Sequence, residues 1–250
     1  MPRKKFIAAN WKMYKTPEQT NAYFEEFLPL VVGHERDEIA VCVPFVDLKT
    51  AVAAAAGSNV AVGAQNMHWA NEGAFTGEVS APMLLSVGVT HVIIGHSERR
   101  QYFNETDDTV NRKLELALES GLIPIVCVGE VLEERQAGLT GDVLRRQCMR
   151  AFNGISARKA AKLVVAYEPV WAIGTGVTAT PATAVDAHVI IRGEAGKAFG
   201  QEFADNLRIL YGGSVKQDNC PALMMEEEID GALVGGASLD PKTFARIVMY

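Results

Sequence analysis

The amino-acid sequence predicts an α/β fold, a (β/α)8 barrel in which helices surround eight parallel strands, and three observations carry that prediction. Eight short apolar, β-branched runs recur along 250 residues. The runs are near-continuous rather than alternating, as in parallel strands buried on both faces. Their starts lie about 32 residues apart, close to one strand-helix unit each. Eight such units in about 250 residues make a closed barrel.

The first run is "FIAAN" (6–10), and "NWK" ends it. A doubly wound dinucleotide-binding sheet would show GxGxxG here, and the chain has none at this point. A helical segment follows, with Thr16 as N-cap and Pro17 at its first position. "IAVCVP" (39–44), "NVAVGAQ" (59–65) and "THVIIGH" (90–96) are the next three strands. "TDDTVNRKLELALESG" has a capping Thr or Asp, apolar residues spaced by three and four, and Gly121 as its stop. "IPIVCVG" (123–129) and "LVVAYEP" (163–169) are strands five and six. A second Thr-Pro start opens the helix after Thr180, and "LRILYGG" (207–213) and "DGALVGG" (230–236) complete the set. No linker, repeat or low-complexity stretch interrupts them, so residues 1–250 read as one barrel domain.

Composition narrows the function. The chain is 48% hydrophobic and 22% charged, ordinary for a globular protein, and long enough to bury a core without staples. A net charge of -6 argues against a nucleic-acid partner, which would call for a basic face. Cys42, Cys127, Cys148 and Cys220 form no CxxC pair and no Cys/His metal spacing, so they read as buried, reduced thiols. The basic opening "MPRKKFIAAN" lacks a following apolar core, and no apolar run approaches a membrane span. These signals predict a cytoplasmic protein with no membrane partner.

In a barrel, chemistry collects where strands end and loops begin. Those positions hold Asn10 and Lys12, then His96, Ser97 and Glu98, then Glu168, then Gly212, Gly213 and Ser214, and last Gly235 and Gly236. The paired glycines suit an anion, because backbone N–H groups can approach it with no Cβ in the way. Tight turns without a ligand are the plainer alternative for either pair alone. Glu168 and His96 suggest proton chemistry, since a carboxylate in a low-dielectric pocket is a competent general base. A buried, hydrogen-bonded histidine is the plainer reading of His96 taken singly. His34, His68, His91 and His188 read as core or surface residues, and Glu133, Glu134, Arg135 and Glu226 to Glu228 as solvated charge. Lys12 has three readings: a counter-ion for an anionic substrate, a Schiff-base nucleophile, or surface charge.

The blocks "NWKM", "GHSERR", "AYEPVWAIGTG", "YGGSV" and "DGALVGGASL" together resemble the triosephosphate isomerase family, in order and spacing, from residue 6 to about residue 248. The resemblance implies cofactor-free and metal-free interconversion of D-glyceraldehyde 3-phosphate and dihydroxyacetone phosphate. By resemblance, Glu168 is the base, His96 the electrophile and Lys12 the cation beside enediolate and phosphate. Asn10 is then a donor to the substrate oxygens, and Glu98 a carboxylate supporting Lys12 and the His96 region. Gly174, Ser214, Gly235 and Gly236 match the family's phosphate cradle. "GAQNMHWANEGAFTGEVSA" (63–81) resembles the loop that enters the neighbouring subunit of a homodimer, which places Gln65, Asn66, Phe75, Thr76, Gly77 and Glu78 at a subunit contact. The chain departs from common family residues at Tyr14, Val131 and Val177.

The same resemblance makes residues 169–179 a closing lid. Pro169, Val170 and Trp171 form one hinge, and Ala172, Ile173, Gly174, Thr175 and Gly176 form the tip. Val177, Thr178 and Ala179 form the other hinge. An apolar inner face suits a lid that must exclude water from a small anion. Tyr211 and Ser214 are expected to latch the closed lid, and Glu130 to be one of the partners of Trp171.

Overall fold

The computed structural model describes residues 3–173 and 179–250. Eight strands, β1 (Phe6–Asn10), β2 (Glu38–Val43), β3 (Val60–Ala64), β4 (His91–Ile94), β5 (Ile123–Val128), β6 (Val164–Tyr167), β7 (Arg208–Tyr211) and β8 (Gly231–Val234), pair in parallel with their sequence neighbours. β1 also pairs with β8, which closes the barrel. The α/β prediction holds, and each of the eight expected runs overlaps a strand, β2 starting one residue before its run at Glu38.

Helices fill every crossover. They are α1 (Pro17–Val31), α2 (Leu48–Ala55), α3 (Ala81–Ser86), α4 (Ser97–Tyr102) and α5 (Asp107–Glu119), followed by α6 (Leu132–Gln136) and α7 (Thr140–Phe152). α8 (Pro181–Phe199), α9 (Gln201–Asn206), α10 (Cys220–Met224) and α11 (Pro241–Val248) complete the ring. Among these described helices, none is long and apolar enough to cross a membrane.

Local chemistry starts the helices where the sequence indicates. The Thr16 hydroxyl accepts from the Gln19 N–H, and the Gln19 side chain accepts from the Thr16 N–H, a reciprocal capping box with Pro17 at the first position. Thr106 caps α5, and Thr180 caps α8 ahead of Pro181. Gly121 and Gly200 follow α5 and α8 at φ 87° and 93°, where a side chain would be strained.

The core has two layers. Ile7, Ala9, Val41 and Val165 face outward onto the helices, in a shell with Phe24, Phe27, Leu114 and Ile191. Phe6, Ala8, Ala40, Cys42, Ile93, Ile125, Cys127, Val164, Ala166, Leu210 and Leu233 fill the barrel interior. This period-two alternation carries through the strand ends and decides what reaches the mouth. On β1 it runs Phe6, Ala8, Asn10; on β6 it runs Val164, Ala166, Glu168; on β7 and β8 it continues to Gly212 and Gly235. His96 has the wrong parity after Ile93. Gly95, at φ 75°, breaks the alternation and turns His96 over the mouth. All four cysteines are buried and unpaired with one another.

Candidate active site

A cleft of about 360 Å³ opens at the C-terminal end of the strands. Its lining includes Asn10, Lys12, His96, Glu168, Ile173, Gly212, Gly213, Ser214, Lys216, Leu233, Gly235 and Gly236. The strand-end residues singled out from the sequence therefore converge on one space, except Ser97 and Glu98, which do not line it.

Lys12 is held in an unusual conformation. Its φ is 54°, a left-handed value that costs a non-glycine residue energy. Two side chains hold the backbone there. Asn10 Oδ1 accepts from the Lys12 N–H at 3.0 Å, and Gln65 Nε2 donates to the Lys12 carbonyl at 2.8 Å. Lys12 Nζ then meets Glu98 Oε1 at 2.5 Å.

His96 and Glu168 form the floor, both buried. His96 Nε2 lies 2.9 Å from Glu168 Oε1. The Glu98 N–H donates to His96 Nδ1 at 3.2 Å, so that nitrogen offers its lone pair and the proton sits on Nε2, facing the cleft. The Ser97 N–H, at the open start of α4, donates to Glu168 Oε2 at 2.8 Å. Burial works against the ionised Glu168 carboxylate, but His96, the Ser97 amide and Lys12 outweigh it and lower its pKa. Burial likewise opposes a charged His96, and the Glu168 carboxylate raises its pKa in spite of it.

Glycines set how closely these parts approach. A Cβ on Gly129 would fall on the carbonyl oxygen of Glu168, so the β5 and β6 ends can lie this close only without one. A Cβ on Gly213 would meet the Tyr211 hydroxyl. Among the described residues, no acceptor is in hydrogen-bonding position to the N–H groups of Gly213, Ser214, Gly235 and Gly236, although these residues line the cleft. Free amides on two adjacent turns make a cradle for an anion.

Beyond Glu168, the chain runs Pro169 and then a short 3-10 turn, Val170–Ala172. Glu130, fully buried, accepts from the Trp171 indole at 2.9 Å and from the Tyr167 hydroxyl at 3.1 Å. Arg135 pairs with Glu130 at 3.2 Å and lies over the Trp171 ring at 4.7 Å. The expectation that Arg135 is solvated charge is corrected here: the carboxylate of Glu130, with no exposed surface, binds it beside Trp171. Glu228 also departs from a purely solvated role, because it pairs with Arg192 at 2.6 Å and its carbonyl meets His188 Nδ1. Tyr211 is buried beside the Ala179 backbone, and burial pushes its phenol up to about 12. Gly174, Thr175, Gly176, Val177 and Thr178, expected in the lid and, for Gly174, in the cradle, lie outside the described residues.

The segment read as a subunit contact is anchored at one end and projects at the other. Gln65 holds Lys12, and Asn66 Oδ1 accepts from Lys113 Nζ at 2.8 Å. Phe75, Thr76, Gly77 and Glu78 are exposed, with the Phe75 ring 4.1 Å from that of His68. His34, His91 and His188 each meet an acid or carbonyl and stay away from the cleft.

Sequence reasoning did not reach the parts played by Gln65, the Ser97 amide, Gly129 and Arg135. Ser97 had a legible signal, since a residue directly after a strand-end histidine and at a helix start has a free N–H. The others depend on contacts between distant segments.

Comparison with known proteins agrees with this geometry. The family described as triosephosphate isomerase matches residues 5–250. The triosephosphate isomerase of Solibacter usitatus is 59% identical over 248 residues, covering 99% of this chain and 100% of the relative. Those of Citrifermentans bemidjiense and Moorella thermoacetica are each 54% identical over 248 residues, covering 99% of both chains. With a closed eight-stranded barrel, a carboxylate and an imidazole on its floor and matches running the length of the chain, this protein belongs to the triosephosphate isomerase family.

Proposed function

We propose that the cleft interconverts D-glyceraldehyde 3-phosphate and dihydroxyacetone phosphate by proton transfer through an enediolate, using side chains alone. The observation that carries this reading is the meeting of Glu168, His96 and Lys12 beside two turns with free amides. The substrate phosphate sits on the amides of Gly213, Ser214, Gly235 and Gly236, with Gly174 as a further donor. The substrate carbonyl then lies toward His96 Nε2, Asn10 and Lys12.

Glu168 takes a proton from the carbon beside the carbonyl, and the electron pair moves onto the carbonyl oxygen. The Nε2–H of His96 hydrogen-bonds to that oxygen and carries a proton between the two oxygens. Lys12, kept in place by Glu98, offsets the developing negative charge. Glu168 returns its proton to the neighbouring carbon. To reach substrate the carboxylate must leave the Ser97 amide and His96, two of the groups that lower its pKa. Burial remains, so the carboxylate becomes more basic as it engages.

Residues 169–179 act as a lid over this intermediate, hinged at Pro169, Val170 and Trp171, with Glu130 as one of the partners of Trp171. Tyr211 and Ser214 latch its far end. The protein works as a homodimer in the cytoplasm, as one barrel domain over residues 1–250. The exposed Phe75–Glu78 tip suits a second copy, where Met13, Phe45, Glu98 and Phe103 flank a cleft of about 220 Å³. A Schiff-base role for Lys12 fits less well, because its ammonium is matched to the Glu98 carboxylate.

Turnover in 2H2O tests the reaction. Passage through an enediolate, with a carboxylate that exchanges its proton, places deuterium on the carbon beside the carbonyl of the product. Rapid isomerisation with no deuterium in product would indicate a hydride shift and exclude the enediolate route.

A further inference from the structure

The charges lining the cleft do not balance. Among the described lining residues, the groups that can carry charge near neutral pH are Lys12, His96, Glu168 and Lys216. His96 and Glu168 face each other at 2.9 Å. Lys12 is matched by Glu98 at 2.5 Å. Lys216 is exposed, and its side chain has no ion pair or hydrogen bond among the described residues. Lys15, three residues after Lys12, donates to the Leu239 carbonyl at 2.8 Å and does not line this cleft.

The backbone beneath Lys216 is held firmly. The Lys216 N–H donates to Asn219 Oδ1 at 2.8 Å, and Asn219 Nδ2 donates to the Ser214 carbonyl at 3.0 Å. The Cys220 N–H closes the turn onto the Lys216 carbonyl at 3.0 Å. One asparagine thus ties the cradle residue Ser214 to Lys216 two residues on. The ammonium sits on a flexible stem whose base is fixed beside the phosphate amides.

A phosphorylated substrate arrives as a dianion at a chain whose net charge is -6. The overall field repels it, but charges farther than about 8–10 Å are screened at physiological salt. Capture then depends on charges at the mouth. In water, one cation about 8 Å from a dianion enriches it about fivefold before screening. We propose that Lys216 is a steering residue: it draws the phosphate to the mouth and hands it to the amides of Gly213, Ser214, Gly235 and Gly236. This rests on the isomerase reading and adds a specificity element for dianionic over neutral trioses.

The test uses the full chain and Lys216→Gln, Lys216→Glu and Lys216→Arg, with glyceraldehyde 3-phosphate from about 0.02 to about 0.5 M ionic strength. D-Glyceraldehyde, which has no phosphate, serves as the uncharged comparison. Lys216→Gln should lower kcat/KM about two- to fivefold at the lowest salt, with kcat within about twofold, and the loss should shrink as salt rises. Lys216→Glu should lose more, Lys216→Arg should stay near wild type, and all should turn over D-glyceraldehyde like wild type. Unchanged kcat/KM at low salt would overturn the proposal. So would a loss that persists at high salt with kcat reduced, because that marks a group holding bound phosphate. A folded wild-type chain with no activity on glyceraldehyde 3-phosphate would instead overturn the isomerase reading itself.

Discussion

Glu168 illustrates how much of the site is decided by single atoms. Alternation along β6 aims its side chain into the barrel, the Ser97 amide and His96 hold it, and the missing Cβ of Gly129 gives its carbonyl room. Gly129→Ala would force the β5 and β6 ends apart and shift the base. A displacement of about 1 Å costs on the order of 10²-fold in rate, so kcat/KM should fall by about that much. Gly193→Ala, on α8 with open space around it, should leave kinetics unchanged. Wild-type kinetics in Gly129→Ala would show that this approach does not position Glu168. Glu168, His96, Lys12 and the glycine pairs were legible because strand ends can be found from apolar runs. Gly129 was visible only as part of a strand run, and its contact with Glu168 joins segments 39 residues apart, which no local pattern encodes.

At the scale of elements, the legible parts were those with local causes. The Thr16, Thr106 and Thr180 caps are each written within four residues, and each begins a helix where expected. Strand centres followed from continuous apolar runs, although β4 covers only His91–Ile94 of the run 90–96 because Gly95 turns the chain away. The short helices α4 and α6 were not drawn from the sequence, since their stability comes from what they dock against rather than from periodicity. Arg135 shows the same limit. A charged residue on a five-residue helix reads as solvated until the fold brings Glu130 and Trp171 against it.

At the scale of the whole molecule, the barrel has a polar closure opposite the cleft. Glu38 of β2 meets His91 of β4 at 2.9 Å and also Arg208 of β7, whose guanidinium lies over the Phe6 ring. Burial opposes the charged Glu38, but His91 and Arg208 outweigh it and hold the carboxyl at about 2. A folded-state pKa below the unfolded value gives stability that is present above the usual carboxylate range and lost as pH falls through about 2. Thermal unfolding from pH 5 down to pH 2 should therefore fall more steeply for wild type than for Glu38→Gln. Parallel curves would show that this cluster contributes nothing to acid sensitivity. Barrel closure was foreseeable from the count and spacing of strands, whereas this cluster was not, because it joins residues 170 positions apart.

The central claim is that Glu168 is the base of a triose phosphate isomerase, and one comparison tests it most directly. Conversion of glyceraldehyde 3-phosphate to dihydroxyacetone phosphate should be followed in a coupled assay for wild type and Glu168→Gln, with folding of both checked by circular dichroism. Removing a positioned general base costs about 10²–10⁴ in rate, so wild type should turn over rapidly and the folded variant should lose activity by that order or more. Activity that survives in Glu168→Gln would contradict the assignment of the base.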